Sequence, residues 1–197
     1  MKVLIGADIE GVAGLATFEE SRMEDIPAYN IAAVEMSKEV AAACRGAIKA
    51  GTDEICVKDA HGGGRNIIME YLPKKVKLIR GITNDPYSMI GGIDKSFDAI
   101  MFIGYHDAAG SDGNPTAHTI NSKEIKEIKI NGQLVGEMHI FLYAAAYLEI
   151  PTVFVSGDNE ICRKAEKVNN NILTVGTKEG KGNAISTIHP ELAQELI

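Results

Sequence analysis

The chain has no tryptophan, few aromatic residues (6%) and only three cysteines in 197 residues. Cys44, Cys56 and Cys162 are odd in number, far apart and each set inside an apolar pattern. They read as reduced core thiols, which argues against a disulfide framework or a cysteine metal site. No apolar run approaches the roughly 18 residues that a membrane helix needs. The opening "MKVLIGA" meets Asp8 too soon to be the apolar core of a signal peptide, so the sequence predicts a cytoplasmic protein. Basic residues never cluster beyond "PKK", and the formal charge is −7 with a pI near 5.3. That balance speaks against nucleic acid or anionic membrane as the main partner and for a small molecule or peptide. Repeats and low-complexity runs are absent. So are "GxxxxGK[ST]", "GxGxxG" and "GxSxG", which removes the P-loop, the dinucleotide fingerprint and the serine-hydrolase elbow.

What remains is an ordinary globular composition, 45% hydrophobic and 24% charged, over a length suited to one domain spanning 1–197. Short β-rich runs alternate with helical patterns, which predicts an α/β fold with a mostly parallel sheet flanked by helices. Strands are expected at about 2–7, 54–58, 76–80, 99–104, 152–156 and 172–176. A long helix is expected over roughly 30–50, with Ile31, Val34, Met36, Val40, Ala43 and Ile48 as its apolar positions and Gly51 as its stop. Asn131-Gly132 within "EIKEIKINGQLVGE" predicts an antiparallel hairpin excursion near 125–136. A further helix should run from Glu137 to Glu149 and stop before Pro151. The final "HPELAQELI" begins a helix with Pro190 in its first turn and ends within two turns. Leu192, Leu196 and Ile197 need a surface to bury against, and the expectation is a chain truncated at its C-terminal region.

In parallel sheets ligands gather outside the carboxyl ends of the strands. Asp8 and Glu10 follow the first strand, "DAHGGGRN" with Asp59 and His61 the second, and "GYHDAAG" with His106 the fourth. If extended backbone persists through residue 10, Asp8 and Glu10 face the same side, and two like charges there require a cation between them, a proton on one, or a splayed pair. A glycine-rich loop then leads to His118, and Glu137 opens the helix after the hairpin. An isolated acid pair is usually a cap and an isolated histidine beside glycines a structural one. Three of five histidines with several acids at strand exits are poorly explained by capping, and carboxylates with imidazoles form the nitrogen and oxygen donor set of zinc or a related ion. His139 and His189 are set aside, the first as facing away inside its helix and the second as a helix-start residue. Asp107, Asp112, Asp158 and Glu160 read as loop or cap residues. "HGGGRN" has a second reading, as a phosphate cradle.

Taken together, "DIEG" (8–11), "KDAHGGGRN" (58–66), "GYHDAAG" (104–110), "AHT" (117–119) and "INGQLVGE" (130–137) resemble the zinc-dependent D-aminopeptidase family associated with dipeptide-transport operons. The likeness spans nearly the whole chain, in the same order. It implies two divalent metal ions, zinc by type, held by Asp8, Glu10, His61, His106 and Glu137, with Asp8 bridging. His118 falls on the position proposed as the catalytic nucleophile. The resemblance further implies release of N-terminal D-amino acids from short peptides and a homo-oligomer, with a ring as one form. Two departures stand out: relatives continue well past residue 197, and Asp107 follows His106 where a small residue is more usual. Two roles for His118 stay open, direct attack or acid–base work, and the second is favoured because two metals already activate water. The rival readings are a dinuclear-metal hydrolase of another amide or a phosphoester, and a non-catalytic anion-binding α/β protein.

Overall fold

In the computed structural model, which describes residues 1–197, β1 (Lys2–Ala7) is an interior strand of a seven-stranded sheet, beside its central strand. Both faces of this strand are apolar, as a doubly covered parallel strand requires: Val3, Ile5 and Ala7 join one core and Leu4 the other. Its parallel neighbours are β2 (Glu54–Asp59) and β4 (Ala99–Tyr105). Beyond β2 lies β3 (Val76–Ile79), and beyond β4 come β7 (Thr152–Asp158), β8 (Leu173–Lys181) and β9 (Ala184–Thr187). Only β9 pairs antiparallel within this seven-stranded sheet. The short strands β5 (Lys129–Ile130) and β6 (Gln133–Leu134) form a separate antiparallel hairpin around Asn131-Gly132, as expected.

One face is covered by α1 (Ile26–Lys49), which starts at Asp25, whose side chain accepts the Ala28 N–H. Its buried face is shifted from the one expected: Met36, Val40 and Ala43 lie in it together with Ala32, Ala33, Cys44 and Ala47, whereas Ile31 is 75% exposed. The opposite face packs α2 (Glu137–Tyr147) and α3 (Asn159–Val168), through Met138, Phe141, Leu142, Ile161 and Ala165. No helix of the chain is long and apolar enough to cross a membrane.

Two elements of the fold have no clear signal in the sequence. The Asp158 side chain caps α3 by accepting the Ile161 N–H, so the acid read as a cap does cap, but the helix behind it went unrecognised. β9 returns on β8 through Gly182 at φ +59, a glycine turn hidden in a polar run. At the C-terminus α4 (Pro190–Leu196) forms with its first turn at Pro190; Ala193 is buried and Ile197 packs on the α1 side of the core, while Leu192 and Leu196 stay exposed.

Candidate active site

The strand order reverses at the centre of the sheet: β2 and β3 lie on one side of β1, β4 and β7 on the other. The crevice at the carboxyl ends of β1 and β4 is therefore the topological switch point, the usual ligand position of such sheets. β1 stops at Ala7, earlier than the same-face reading of Asp8 and Glu10 requires, and a turn carries the chain through Gly11. That turn is sewn to β4 by Asp8 N–H to Ile103 O and Gly11 N–H to Gly104 O, both 2.8 Å. The approach is so close that a Cβ at Gly11 would sit 1.9 Å from the Tyr105 carbonyl oxygen, and one at Gly104, where φ is +73, 2.3 Å from the Asp8 oxygen. The two carboxylates converge through this turn rather than through strand alternation.

Asp8, Glu10, His61, His106, His118 and Glu137 all meet here. Nδ1 of His61 lies 3.0 Å from Glu10 Oε2 and 3.3 Å from Asp8 Oδ1. Nε2 of His106 lies 3.5 Å from Asp8 Oδ2 and 3.4 Å from Glu137 Oε2, and Nε2 of His118 is 3.6 Å from Glu137 Oε1. Each imidazole spends its other nitrogen on a carbonyl, which can only accept: His61 Nε2 donates to Ser21 O, His106 Nδ1 to Asp107 O and His118 Nδ1 to Thr116 O. The remaining nitrogen of every ring is thereby turned toward carboxylates, the arrangement that backbone partners impose on metal-ligating histidines. His106 and His118 stack at 4.2 Å between centroids. Asp8 Oδ2, Glu10 Oε2 and His106 Nε2 are buried and have no hydrogen-bond partner.

Burial and the adjacent Glu10 push the Asp8 carboxyl up to about 7. Burial opposes charge on Glu10 as well, but His61 outweighs it and holds Glu10 well below the carboxylate range. For His106, burial pulls down while Glu137 and Asp8 lift it to about 10. Three clustered carboxylates thus draw positive charge into a buried place, and a cation would do the same work as the protons.

A sequence profile of the peptidase family described as D-aminopeptidase matches residues 1–197. The chain belongs to this D-aminopeptidase family. A D-aminopeptidase of Bacillus subtilis (strain 168) is 30% identical over 200 residues, covering 100% of the chain and 71% of that relative. The solved structure of the Zn-dependent D-aminopeptidase DppA from Bacillus subtilis, described as a self-compartmentalizing protease, superposes with a TM-score of 0.90 at 28% identity, over 100% of the chain and 70% of DppA. Family membership makes the chain a peptidase by class.

In this family member several residues that the sequence reading passed over hold the site in shape. Lys178, 2% exposed on β8, donates Nζ to the Glu10 and Leu15 carbonyls, Thr177 Oγ1 donates to Gly11 O, and Asn114 Nδ2 reaches Glu10 O. Nothing flags Lys178 in sequence, because "TKEGK" looks like a solvated strand end. Glu39 of α1, fully buried, accepts the Ala13 N–H at 2.8 Å, and burial lifts its carboxyl to about 8 from an ordinary 4.5. A buried acid with a raised folded-state pKa keeps its proton while the unfolded chain loses it, so its contribution to stability falls as pH rises from about 4.5 to about 8. The Glu39→Gln variant is expected to gain melting temperature over the native protein at pH 8 and much less at pH 5; an equal difference at both pH values in thermal unfolding would refute this.

Asp59 is not part of the cluster. Its carboxylate accepts the N–H groups of Asn66 and Ile67 and the Asn66 amide, which folds "HGGGRN" inward and commits two of the donors that a phosphate cradle would need. Asp107 is buried and pairs with Lys164, behind His106. His189 caps α4 by accepting the Glu191 N–H. His139 points away from the site: Nδ1 accepts the Gly136 N–H at the start of α2, and burial lowers its pKa to about 4. Alanine at His139 is expected to cost about 1 kcal/mol through the lost cap and to leave metal content at the native level, which denaturant unfolding beside elemental analysis would check.

Proposed function

We propose that the chain releases N-terminal amino acids, D-residues by preference, from short peptides at a dinuclear zinc centre held by Asp8, Glu10, His61, His106 and Glu137. The observation that carries this reading is the inward turn of the free nitrogens of His61 and His106 upon three buried carboxylates, among which Asp8 Oδ2 and Glu10 Oε2 have no hydrogen-bond partner. The residues fit such a centre: imidazole nitrogen and carboxylate oxygen are zinc donors, and the clustered acids need cations to coexist. Asp8 offers one oxygen to the His61 side and the other to the His106 side, which supports a bridging role. Bound zinc supplies Lewis acidity toward the scissile carbonyl and toward water.

The protein's own groups supply the rest. The cavity beside the cluster, about 410 Å³, has room for the N-terminal end of a short peptide. His118 is kept neutral at pH 7, because burial and the neighbouring His106 hold it below its ordinary 6.5. Its Nδ1 proton is committed to Thr116 O, so Nε2 carries the lone pair toward the cavity. We assign His118 to take a proton from attacking water at Nε2 and return it to the departing amine. The loop that carries His118 is tied to the site by Ile120 N–H to Glu137 Oε1 at 2.6 Å, with Ile120 in the left-handed region at φ 64, strain of the kind found at functional positions. We also extend self-association from DppA to this chain, supported by the exposed apolar side chains of Met23, Ile26 and Ile31 along the entry to α1. Chelation followed by zinc reconstitution, assayed on D- and L-aminoacyl amides, tests the activity: loss and recovery on the D-series is expected, and activity indifferent to chelator would overturn it.

A further inference from the structure

The cavity that holds the acid cluster is also lined by Arg22 and Lys123. Arg22 is half-buried and ordered on two sides: its guanidinium carbon stands 4.5 Å over the Phe18 ring, and Nη2 donates to Ser122 Oγ at 3.0 Å. Phe18 in turn meets His118 edge-on at 5.5 Å between centroids, so the guanidinium is two short steps from the proposed acid–base group. No carboxylate lies within ion-pair range of Arg22. A guanidinium held in place with no direct ion-pair partner, lining the same cavity as the acid cluster, is free to take a ligand's anionic group.

We infer that Arg22 anchors the free C-terminal carboxylate of the substrate, so that the cavity reads a short zwitterionic peptide by both ends. The inference rests on the aminopeptidase reading and adds to it the form of the substrate. A planar fork of N–H donors matches the two oxygens of a peptide carboxylate in a bidentate pair. Stacking on Phe18 and the Ser122 contact restrict the fork beforehand, so less freedom is lost when the carboxylate docks. Phe18 links the two groups through separations of 5.5 and 4.5 Å, and a peptide spans about 3.5 Å per residue, so one or two residues beyond the scissile bond reach from His118 to Arg22. A longer peptide places an uncharged amide where the carboxylate belongs, which sets the preference for short substrates.

The test compares zinc-loaded native protein with R22Q and R22K by calorimetry. The probes are a D-alanyl-D-alanine analogue with its scissile amide reduced to CH2–NH, as free acid and as C-terminal amide. Native protein is expected to bind the acid about 10- to 100-fold more tightly than the amide, the contribution of hydrogen bonds to a charged group. In R22Q that ratio should fall to near one, and in R22K, which keeps the charge without the fork, to an intermediate value. Equal weakening of acid and amide in R22Q would mean a structural role and overturn the anchor, as would a native protein without preference. Cleavage of D-alanine amide, which has no second residue, is followed in parallel. Its absence in native protein would overturn the aminopeptidase reading itself, and the assignment of Arg22 to a peptide with it.

Discussion

Replacement of His118 by alanine is expected to leave the full complement of metal and to lower turnover on the order of 10²–10⁴-fold, the usual contribution of a positioned acid or base. The side chain sits in the loop beyond His106, touching Glu137 at 3.6 Å and stacked on His106, so it reaches over the cluster rather than building its floor. A ring nitrogen of His106, one of His118 and a Glu137 oxygen come within 4.8 Å of one another, so a ligand role is also geometrically open to His118, and metal content separates the two. A variant that has lost an ion makes His118 a ligand; one with full metal and near-native turnover removes it from the mechanism. Acid–base work and direct attack also part in a single turnover. Solvent oxygen entering the product without a trapped acyl-imidazole favours the first, and a trapped acyl-imidazole the second. A neutral His118 is the active form in the acid–base account, and its depressed pKa means that activity falls only as pH drops below the ordinary histidine range.

The Asp8→Ala variant is expected to lose more than one metal ion per chain and essentially all hydrolysis. Its two oxygens face different histidines, Oδ1 toward His61 and Oδ2 toward His106, so its removal opens both halves of the cluster at once. The loss of affinity should exceed the roughly 10- to 100-fold that follows from altering a partner outside the ligand shell. His61→Ala, which touches one half, is expected to lose no more than one ion. The fold should survive in Asp8→Ala, since a buried acid whose charge is unwelcome beside Glu10 is being removed. Elemental analysis of both variants beside circular dichroism checks the contrast. Equal metal loss from the two would mean that Asp8 does not bridge.

Much of this was legible in the sequence because parallel sheets place ligand residues by rule. Apolar β-rich runs located β1 to β4 and β7 within one or two residues, and the polar residues just past them, Asp8, Glu10, His61 and His106, do meet at one end of the sheet. Asn131-Gly132 marked its hairpin because few dipeptides satisfy two positive-φ positions, and both residues are found there with φ 52 and 80. Less legible were contacts that depend on distant parts of the chain. Lys178 and Thr177 hold the Glu10 turn from more than 160 positions away, and neither residue has a local pattern that reports this. α3 was missed because its face is carried by Ile161, Cys162 and Ala165 among charged residues, too few apolar positions to stand out in a short segment. Asp59 shows the limit of position alone: it stands at a strand exit beside His61, yet its carboxylate is consumed by the backbone of its own loop. Arg22 carries no sequence signal, because its partners, Phe18 and Ser122, come from two loops that only the fold joins.

The central claim is that the cluster holds two metal ions. Its most direct test is to strip the purified protein with chelator, reload it with excess zinc, remove free metal and count zinc per chain by elemental analysis. The account predicts two tightly bound ions, with hydrolysis of D-alanine amide returning as the second is taken up. One ion or fewer, under conditions in which the protein remains folded, would contradict it.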